Sequence, residues 1–162
     1  MSDPNANTHH FATHLVWTGA ARGATTGYES YDRTHRVEIE GKPPIVASAA
    51  PPFLGDPSLH NPEDLLVAAL SSCHFLSYAA LCARYGVHVV AYEDHATGTM
   101  TRVDKVTKFT EVVLHPRVTI APGSDVEKAR SLHARAHSLC FIANSVNFEV
   151  KNEPTIEVAA PQ

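Results

Sequence analysis

The chain has 162 residues, a length that fits one domain; 44% of them are apolar and 19% are charged. Such a composition can form a hydrophobic core and is not typical of a disordered protein. The 13 lysines and arginines are outnumbered by 17 acidic residues, which gives a formal net charge of −4 with neutral histidines. An acidic chain of this kind is a poor candidate for binding nucleic acid or an anionic membrane surface.

Cysteine content and N-terminal composition point to a cytoplasmic protein. Three cysteines are too few, and odd in number, for a secreted disulfide scaffold. The first ten residues are polar and lack the apolar segment of a signal peptide. Residues 65–83 carry no formal charge over 19 positions, but serines, a histidine and alanines make them less apolar than a membrane span. We predict a flexible tail over 1–10 and a single domain over 11–162.

Four strands are predicted before the first helix. The third shows the clearest alternation, because Val37 and Ile39 are separated by charged residues, as in a half-buried strand. A loop rich in proline and glycine follows the fourth strand. The predicted strands cover residues 11–17, 25–31, 36–40 and 45–48.

A long first helix is predicted from Pro62 to about Tyr85. Asn61 is a favoured N-cap, proline suits the first helical position, and the acidic residues that follow stabilise the positive end of the helix dipole. Gly86 can end the helix. The helix is apolar almost all round, so it should be covered on more than one side, which points to a homodimer.

The second half of the chain is predicted as strands, a helix and strands. Two long strands are expected over 87–101 and 108–120, with Pro116 placing part of the second at an edge or a bulge. Ser124 and Glu127 form a capping box for a second helix that reaches about Leu139. Short strands over 147–150 and 155–158 complete an α+β order.

Three cysteines lie on or next to the predicted helices. Cys73 and Cys82 are nine residues apart and face opposite sides of a helix, so they cannot pair with each other. Cys82 is expected to be a small buried apolar residue. Cys140 comes from another element and could meet Cys73. If the helix breaks at the serine pair 71–72, Cys73 lies in a first turn, where the dipole favours a thiolate.

Two segments around Cys73 and Cys140 carry a family resemblance. The segment 61–73 contains NPEDLL, an alanine pair and Ser-Cys, and Cys73 comes ten residues after Glu63. The second segment, 137–146, reads HSLCFIANSV and places Cys140 67 residues after Cys73. Together they resemble the two cysteine motifs of the OsmC/Ohr family of thiol-dependent peroxidases, over about residues 12–158.

The resemblance implies a fold and an activity. The fold would have antiparallel-rich sheets packed around two helices in an intertwined homodimer. The activity would be the reduction of hydroperoxides to alcohols in oxidative-stress defence, with Cys73 as the peroxidatic thiol and Cys140 as the resolving thiol. An external dithiol of lipoyl or thioredoxin type would reduce the resulting disulfide. No metal, flavin or haem is required in this scheme.

Family members also use an arginine and a glutamate beside the reactive cysteine. The glutamate corresponds to Glu63, and the arginine corresponds best to Arg22, with Arg33 and Arg36 as alternatives. A straight helix separates Glu63 from Cys73 by about 15 Å of rise, more than one arginine side chain bridges easily. The scheme therefore predicts a break or bend near residues 71–72.

The residues around the two cysteines bear on the substrate. Apolar neighbours favour organic hydroperoxides over hydrogen peroxide, and we expect four of them near Cys73: Leu70, Phe75, Leu76 and Phe141. His74 points about 100° away from Cys73 around a helix, which makes it a poor direct base. Phe141, in place of the proline often seen after the second cysteine, together with His74, indicates a less characterised branch.

Two other functions remain open from the sequence. The same fold could be a binding module for an apolar small ligand, with inert or regulatory cysteines. His133, His137 and Cys140 could also bind a metal ion, since they follow one another at helical spacing. The alternative to a metal site is that His137 packs beside Cys140 and His133 faces solvent, and we expect this arrangement.

Overall fold

The computed structural model describes residues 7–161, and the chain divides into two compact units. The first unit ends at Asp64 and the second begins at Leu65. Of the predicted tail over 1–10, residues 1–6 lie outside the described residues, and residues 7–10 are exposed without helix or strand. The single domain over 11–162 stays a prediction.

The first unit contains a small antiparallel sheet. Its strands are β1 (His14–Val16), β2 (His35–Glu38) and β3 (Ile45–Ala47), in the order β1-β2-β3. The register places Val37 opposite both Leu15 and Ile45, so these three apolar residues share one face of the sheet.

The strand predicted over 25–31 is wrong, because this segment forms turns. The Ser30 amide donates to the Gly27 carbonyl at 3.1 Å, and the Ser30 hydroxyl donates to the same oxygen at 2.9 Å. Thr26 and Ser30 also share a hydrogen bond between their hydroxyls. Such local hydrogen bonds compete with the hydrogen bonds between paired β-strands, so the segment forms turns in spite of the β-propensity of threonine and tyrosine.

The first helix, α1, spans Pro62–Tyr85, as predicted. The Asn61 side chain accepts a hydrogen bond from the Asp64 amide at 2.8 Å and so caps the N-terminus. Gly86 ends the helix with φ of +70°, a left-handed conformation that glycine adopts without a Cβ penalty.

The expected break at residues 71–72 is wrong, since α1 is continuous through them. The Ser71 hydroxyl donates to an Asp94 carboxylate oxygen at 2.5 Å instead of capping a new helix. Cys73 therefore lies in the middle of a helix, not in a first turn.

The second unit has two further sheets of three strands. One has the order β4-β7-β9 and the other β5-β6-β8; the first pair in each is antiparallel and the second parallel. The strands are β4 (Val89–Asp94), β5 (Thr97–Val103), β6 (Val106–Leu114), β7 (Pro116–Ile120), β8 (Glu149–Asn152) and β9 (Thr155–Val158).

Each of the two long predicted strands is divided in two. The first divides at residues 95–96 and the second at His115, whose amide donates to Asp94 at 2.7 Å. Pro116 opens β7, which suits a residue without an amide proton, although β7 is the central strand of its sheet and not an edge.

The second helix, α2, spans Val126–Leu139. Its N-cap is Asp125, which accepts a hydrogen bond from the Lys128 amide at 2.9 Å, so the predicted capping box at Ser124 is wrong. The Ser124 hydroxyl instead accepts from the His88 amide. The two helices and the antiparallel-rich sheets confirm the predicted α+β fold.

Two apolar clusters form the core of the second unit. The larger one packs both helices against β7, and the smaller one packs Leu70 against β6 and β8. Among the described residues, α1 is also the one helix whose length and composition would let it cross a membrane, a property shared by many core helices. Only 28% of its most apolar stretch is buried within the chain. Much of the apolar surface of α1 therefore stays uncovered.

Candidate functional site

Cys73 and Cys140 come together in the second unit. Cys73 is half-buried in the middle of α1, and Cys140 is 1% exposed and directly follows the last residue of α2. The Cys73 thiol lies close enough to the Cys140 thiol to affect its pKa, and both thiols are free. The two sequence motifs thus meet in space.

The buried thiol of Cys140 has a raised pKa. Burial is the main cause, the neighbouring Cys73 thiol adds to it, and the pKa rises to about 11. The Ala143 amide donates to the Cys140 sulfur at 3.4 Å, which opposes the shift in part. Asn144 fixes this turn by donating to the Cys140 carbonyl at 2.9 Å. Cys140 is therefore a protonated thiol at neutral pH.

Cys73 opens onto an apolar groove of about 370 Å³ along α1. The groove begins at Cys73 and ends at Arg84, and Leu76, Leu139 and Phe141 form its apolar walls. These three side chains are 62%, 48% and 83% exposed, respectively, so the groove is open to solvent in the single chain. An apolar molecule in the groove would bring its substituents to the Cys73 sulfur.

The apolar neighbours expected at Cys73 are confirmed for two of the four residues. Leu76 and Phe141 line the groove with the thiol. Leu70 is fully buried in the smaller apolar cluster, and Phe75 packs on Tyr92 with ring centroids 4.8 Å apart. Helical spacing explains Phe75, which lies about 200° around α1 from Cys73. Leu70 is only one turn from Cys73, but it packs against β6 and β8.

Cys82 belongs to the core, as predicted. It is 1% exposed within the larger apolar cluster, beside Tyr78. Burial raises the pKa of its thiol. Cys82 thus behaves as a small apolar residue.

Glu63 does not reach Cys73 in the way that the sequence predicted. Because α1 is unbroken, their spacing of ten positions corresponds to about 15 Å of helix rise. Glu63 instead lines an aromatic pocket of about 510 Å³ within the first unit. Its Oε2 atom is buried and has no hydrogen-bond partner among the described residues.

The arginine in the Glu63 pocket is Arg33. Its guanidinium lies 4.1 Å from the ring centre of Tyr31 and 4.9 Å from that of Tyr28. It also donates to the Tyr31 carbonyl at 3.0 Å and to the Tyr28 carbonyl at 2.5 Å. Stacking and hydrogen bonds together hold the guanidinium in place.

Arg22, the preferred match from sequence, lies elsewhere in the first unit. It ends a short 3₁₀ helix, its side chain is 79% exposed, and it pairs with Asp32 at 2.5 Å. Arg36, the other alternative, pairs with Glu38 at 2.7 Å. Arg22 and Arg36 do not line the Glu63 pocket. The positions of the three arginines in the sequence do not show which of them the loop directs into the Glu63 pocket.

A buried histidine pair joins the two helices, which the sequence did not indicate. His74 is fully buried, and its Nε2 lies 3.0 Å from Nδ1 of His133, which is 2% exposed. The His133 ring stacks on Tyr78 at 3.8 Å. The expectation that His133 faces solvent is wrong, because Ala129, Leu132 and Ala136 place it on the buried stripe of α2.

Burial keeps this histidine pair neutral. It lowers the pKa of His74 to about 4, an effect that the Asp94 carboxylate partly offsets, and the pKa of His133 to about 3. Over residues 7–161, no group of three or more histidine, cysteine or acidic side chains converges in a way that could hold a metal ion. The metal-site alternative at His133, His137 and Cys140 therefore has no geometric support in this part of the chain.

The fold and the meeting of the two cysteine motifs define an OsmC-like α+β protein. The sequence model of the family described as OsmC-like protein matches residues 55–155. The chain belongs to this family, which confirms the resemblance seen in its motifs.

Three known proteins illustrate the similarity. The chain is 34% identical to an OsmC-like protein of unknown function from Vibrio cholerae, whose structure superimposes with a TM-score of 0.83 and covers 91% of this chain and 99% of that one. It is 23% identical over 156 residues to the uncharacterized protein YmaD of Bacillus subtilis, covering 93% and 96% of the two chains. The organic hydroperoxide resistance protein OsmC of Legionella pneumophila shares the fold, with 16% identity, a TM-score of 0.68 and coverage of 93% and 98%.

Proposed function

We propose that this protein is a thiol-dependent peroxidase that reduces organic hydroperoxides to alcohols in oxidative-stress defence. The observation that carries the proposal is the proximity of the Cys140 thiol to Cys73, which lines an apolar groove. Membership of the OsmC-like family supports it, since that family includes a protein named for organic hydroperoxide resistance.

The environments of the two cysteines assign them different roles. A peroxide must reach the attacking sulfur, and Cys73 is the cysteine that lines the groove. Cys140 is buried, and its pKa of about 11 keeps it a thiol at neutral pH. Only a thiolate is a strong nucleophile, so Cys73 attacks the peroxide and Cys140 acts afterwards.

The reaction balances with thiols alone. The Cys73 thiolate attacks the terminal oxygen of the hydroperoxide, the O–O bond breaks, and the alkoxide takes up a proton and leaves as an alcohol. The sulfur of Cys140 then attacks the Cys73 sulfenic acid, a disulfide forms, and the hydroxyl group leaves with the Cys140 proton as water. An external dithiol reduces this disulfide and is itself oxidised to a disulfide.

Arg33 and Glu63 are proposed as the arginine and glutamate that the family resemblance implies. Both line the pocket of the first unit, where Arg33 is held by two tyrosine rings and two carbonyls. Arg22 is exposed and already paired with Asp32, so it has the surroundings of a surface residue. We therefore propose Arg33 in place of Arg22. Since the unbroken α1 keeps Glu63 about 15 Å from the Cys73 of its own chain, the pair is proposed to act on the Cys73 of a second copy.

A homodimer is proposed as the working form. The chain buries only 28% of the most apolar stretch of α1, and a second copy would cover part of the rest. Sedimentation velocity should give twice the mass of the chain at micromolar concentration. A monomer that retains full peroxidase activity would rule this out.

Steady-state turnover tests the proposed function. Purified protein is mixed with cumene hydroperoxide and excess dihydrolipoate or dithiothreitol, and the loss of peroxide is followed. We expect Cys73→Ser to abolish the catalysed loss, whereas Cys82→Ser, a matched change at the cysteine outside the groove, should keep it. Peroxide loss that is equal in wild type and Cys73→Ser would contradict the proposal.

A further inference from the structure

Two reduced sulfur atoms, those of Cys73 and Cys140, lie near one another at a largely apolar site. Leu139 and Phe141, the residues on either side of Cys140, line the same groove as Cys73. Neither thiol is in a disulfide, and the thiols are close enough for one to affect the other. Cys73 is half-buried and Cys140 is 1% exposed. The protein thus holds a pair of soft ligands largely shielded from water.

The number of ligands at this sulfur pair restricts the metal ions that it can bind. In the part of the chain that the structure describes, no three or more histidine, cysteine or acidic side chains converge on a metal position. Structural Zn²⁺ sites take four ligands, so two thiols alone are a poor site for zinc. Cu(I) prefers thiolate sulfur, and as a soft closed-shell ion it is satisfied by two sulfur ligands in a linear arrangement. The sulfur pair therefore suits Cu(I).

Local charge also suits a monovalent cation. The walls of the groove beside Cys73 are mainly apolar, so two bare thiolates would place two negative charges there at a high cost in desolvation. One Cu(I) ion reduces the charge of the group to a single negative charge. The Ala143 amide donates to the Cys140 sulfur at 3.4 Å and stabilises part of what remains.

We propose that reduced Cys73 and Cys140 form a binding site for one Cu(I) ion, held by their two sulfur atoms. Binding displaces one proton from each thiol and forms two copper–sulfur bonds, with no change in the oxidation state of copper or sulfur. The site is a further function of this sulfur pair and does not depend on the proposed peroxidase activity. Because the ion occupies both sulfurs, the copper-loaded protein has no free Cys73 thiolate to attack a peroxide.

Competition with a coloured chelator complex tests the site. Fully reduced protein is titrated, without oxygen, into the Cu(I) complex of bicinchoninate, and transfer of copper is read from the loss of colour. Wild-type protein should take up one Cu(I) ion per chain. Cys73→Ser and Cys140→Ser should each bind Cu(I) at least about a hundredfold more weakly, because each leaves one thiolate without its chelating partner.

A matched control and a spectrum identify the ligands. Cys82→Ser makes the same substitution at a cysteine that is 1% exposed in the larger apolar cluster, and it should bind Cu(I) as the wild type does. Thermal melting shows whether each variant is folded. X-ray absorption at the copper edge of loaded wild-type protein should show two sulfur neighbours and no histidine nitrogen.

Three results would overturn the inference. The first is that wild-type protein takes no Cu(I) from the chelator complex. The second is that folded Cys140→Ser binds as tightly as the wild type, or that Cys82→Ser binds as weakly as Cys73→Ser. The third is uptake of half an ion per chain, which would place the copper between two copies. Failure of the proposed function looks different: metal-free wild-type protein would then not consume cumene hydroperoxide, whatever its affinity for copper.

Discussion

The His74 and His133 side chains share a hydrogen bond of 3.0 Å in the interior between α1 and α2. One ring nitrogen must donate and the other accept, so this bond requires that at least one of the rings is neutral. His74 lies one residue along α1 from Cys73, and the pair ties the helix that carries Cys73 to α2, which leads into Cys140.

The histidine pair predicts a loss of stability in acid. Both pKa values are lowered from the usual 6.5, to about 4 for His74 and about 3 for His133. Between those values and pH 6.5 the unfolded chain binds more protons than the folded chain, so the free energy of unfolding falls as pH falls below 6.5. Urea unfolding at pH 5 should show a loss of about 4 kcal/mol relative to pH 7.5, about 2 kcal/mol from each histidine.

A matched control separates this effect from general acid sensitivity. His95→Gln removes an exposed histidine and should leave the difference between pH 7.5 and pH 5 unchanged. The double variant His74→Phe, His133→Phe should reduce that difference, because it removes both buried titrating groups. Equal urea midpoints at the two pH values in the wild type would show that the pair is not buried and neutral.

Removing Cys140, the proposed resolving cysteine, should expose the sulfenic acid intermediate. In Cys140→Ser the Cys73 sulfenic acid forms but has no neighbouring thiol with which to condense. We expect one equivalent of hydroperoxide to give a Cys73 adduct with dimedone in this variant and little adduct in the wild type. An adduct on Cys82, or none at all, would contradict the roles assigned to the cysteines.

Arg33 should matter more to peroxidase activity than Arg22. Lysine keeps the charge but loses the planar group that stacks on Tyr31 and donates to two carbonyls, so Arg33→Lys should lower kcat/KM for cumene hydroperoxide about tenfold or more. Arg22→Lys changes an exposed residue paired with Asp32 and should lower it less than about twofold. The reverse order would restore Arg22 to the catalytic set.

Gly55 should be essential to the folding of the first unit. A Cβ atom there would lie 1.6 Å from the Ala49 carbonyl oxygen, so the backbone of this loop would have to move. We expect Gly55→Ala to reduce the free energy of unfolding by about 3 kcal/mol, in the range of a strongly overpacked site. Gly27→Ala is the control, because its nearest neighbour would be 3.6 Å away, and it should change stability by less than about 0.5 kcal/mol.

Local chemistry explains which elements could be predicted from the sequence. The limits of α1 were predictable because they depend on local contacts and conformation: Asn61 caps the first turn, and Gly86 adopts the left-handed conformation that ends the helix. The turns in 25–31 were not, since hydrogen bonds from Thr26 and Ser30 compete there with a strand-like composition.

The candidate site depends more on tertiary contacts and was predictable only in part. Residue spacing left open whether Cys140 meets Cys73, and the family motifs supplied that expectation. The sequence alone favours Arg22 over Arg33, because the stacking of Arg33 on Tyr28 and Tyr31 depends on the conformation of a loop. A signal for the burial of His133 was present in the alanines and leucine around it on α2, but its partner His74 is 59 residues away.

A single-turnover thiol titration tests the central claim most directly. Fully reduced protein receives one equivalent of cumene hydroperoxide, and free thiols and cross-linked peptides are measured over the following seconds. The account predicts the loss of two of the three thiols and a Cys73–Cys140 disulfide, with both changes absent in Cys73→Ser. Survival of all three thiols after prolonged exposure would contradict it, and the groove would then belong to a binding protein with an inert Cys73.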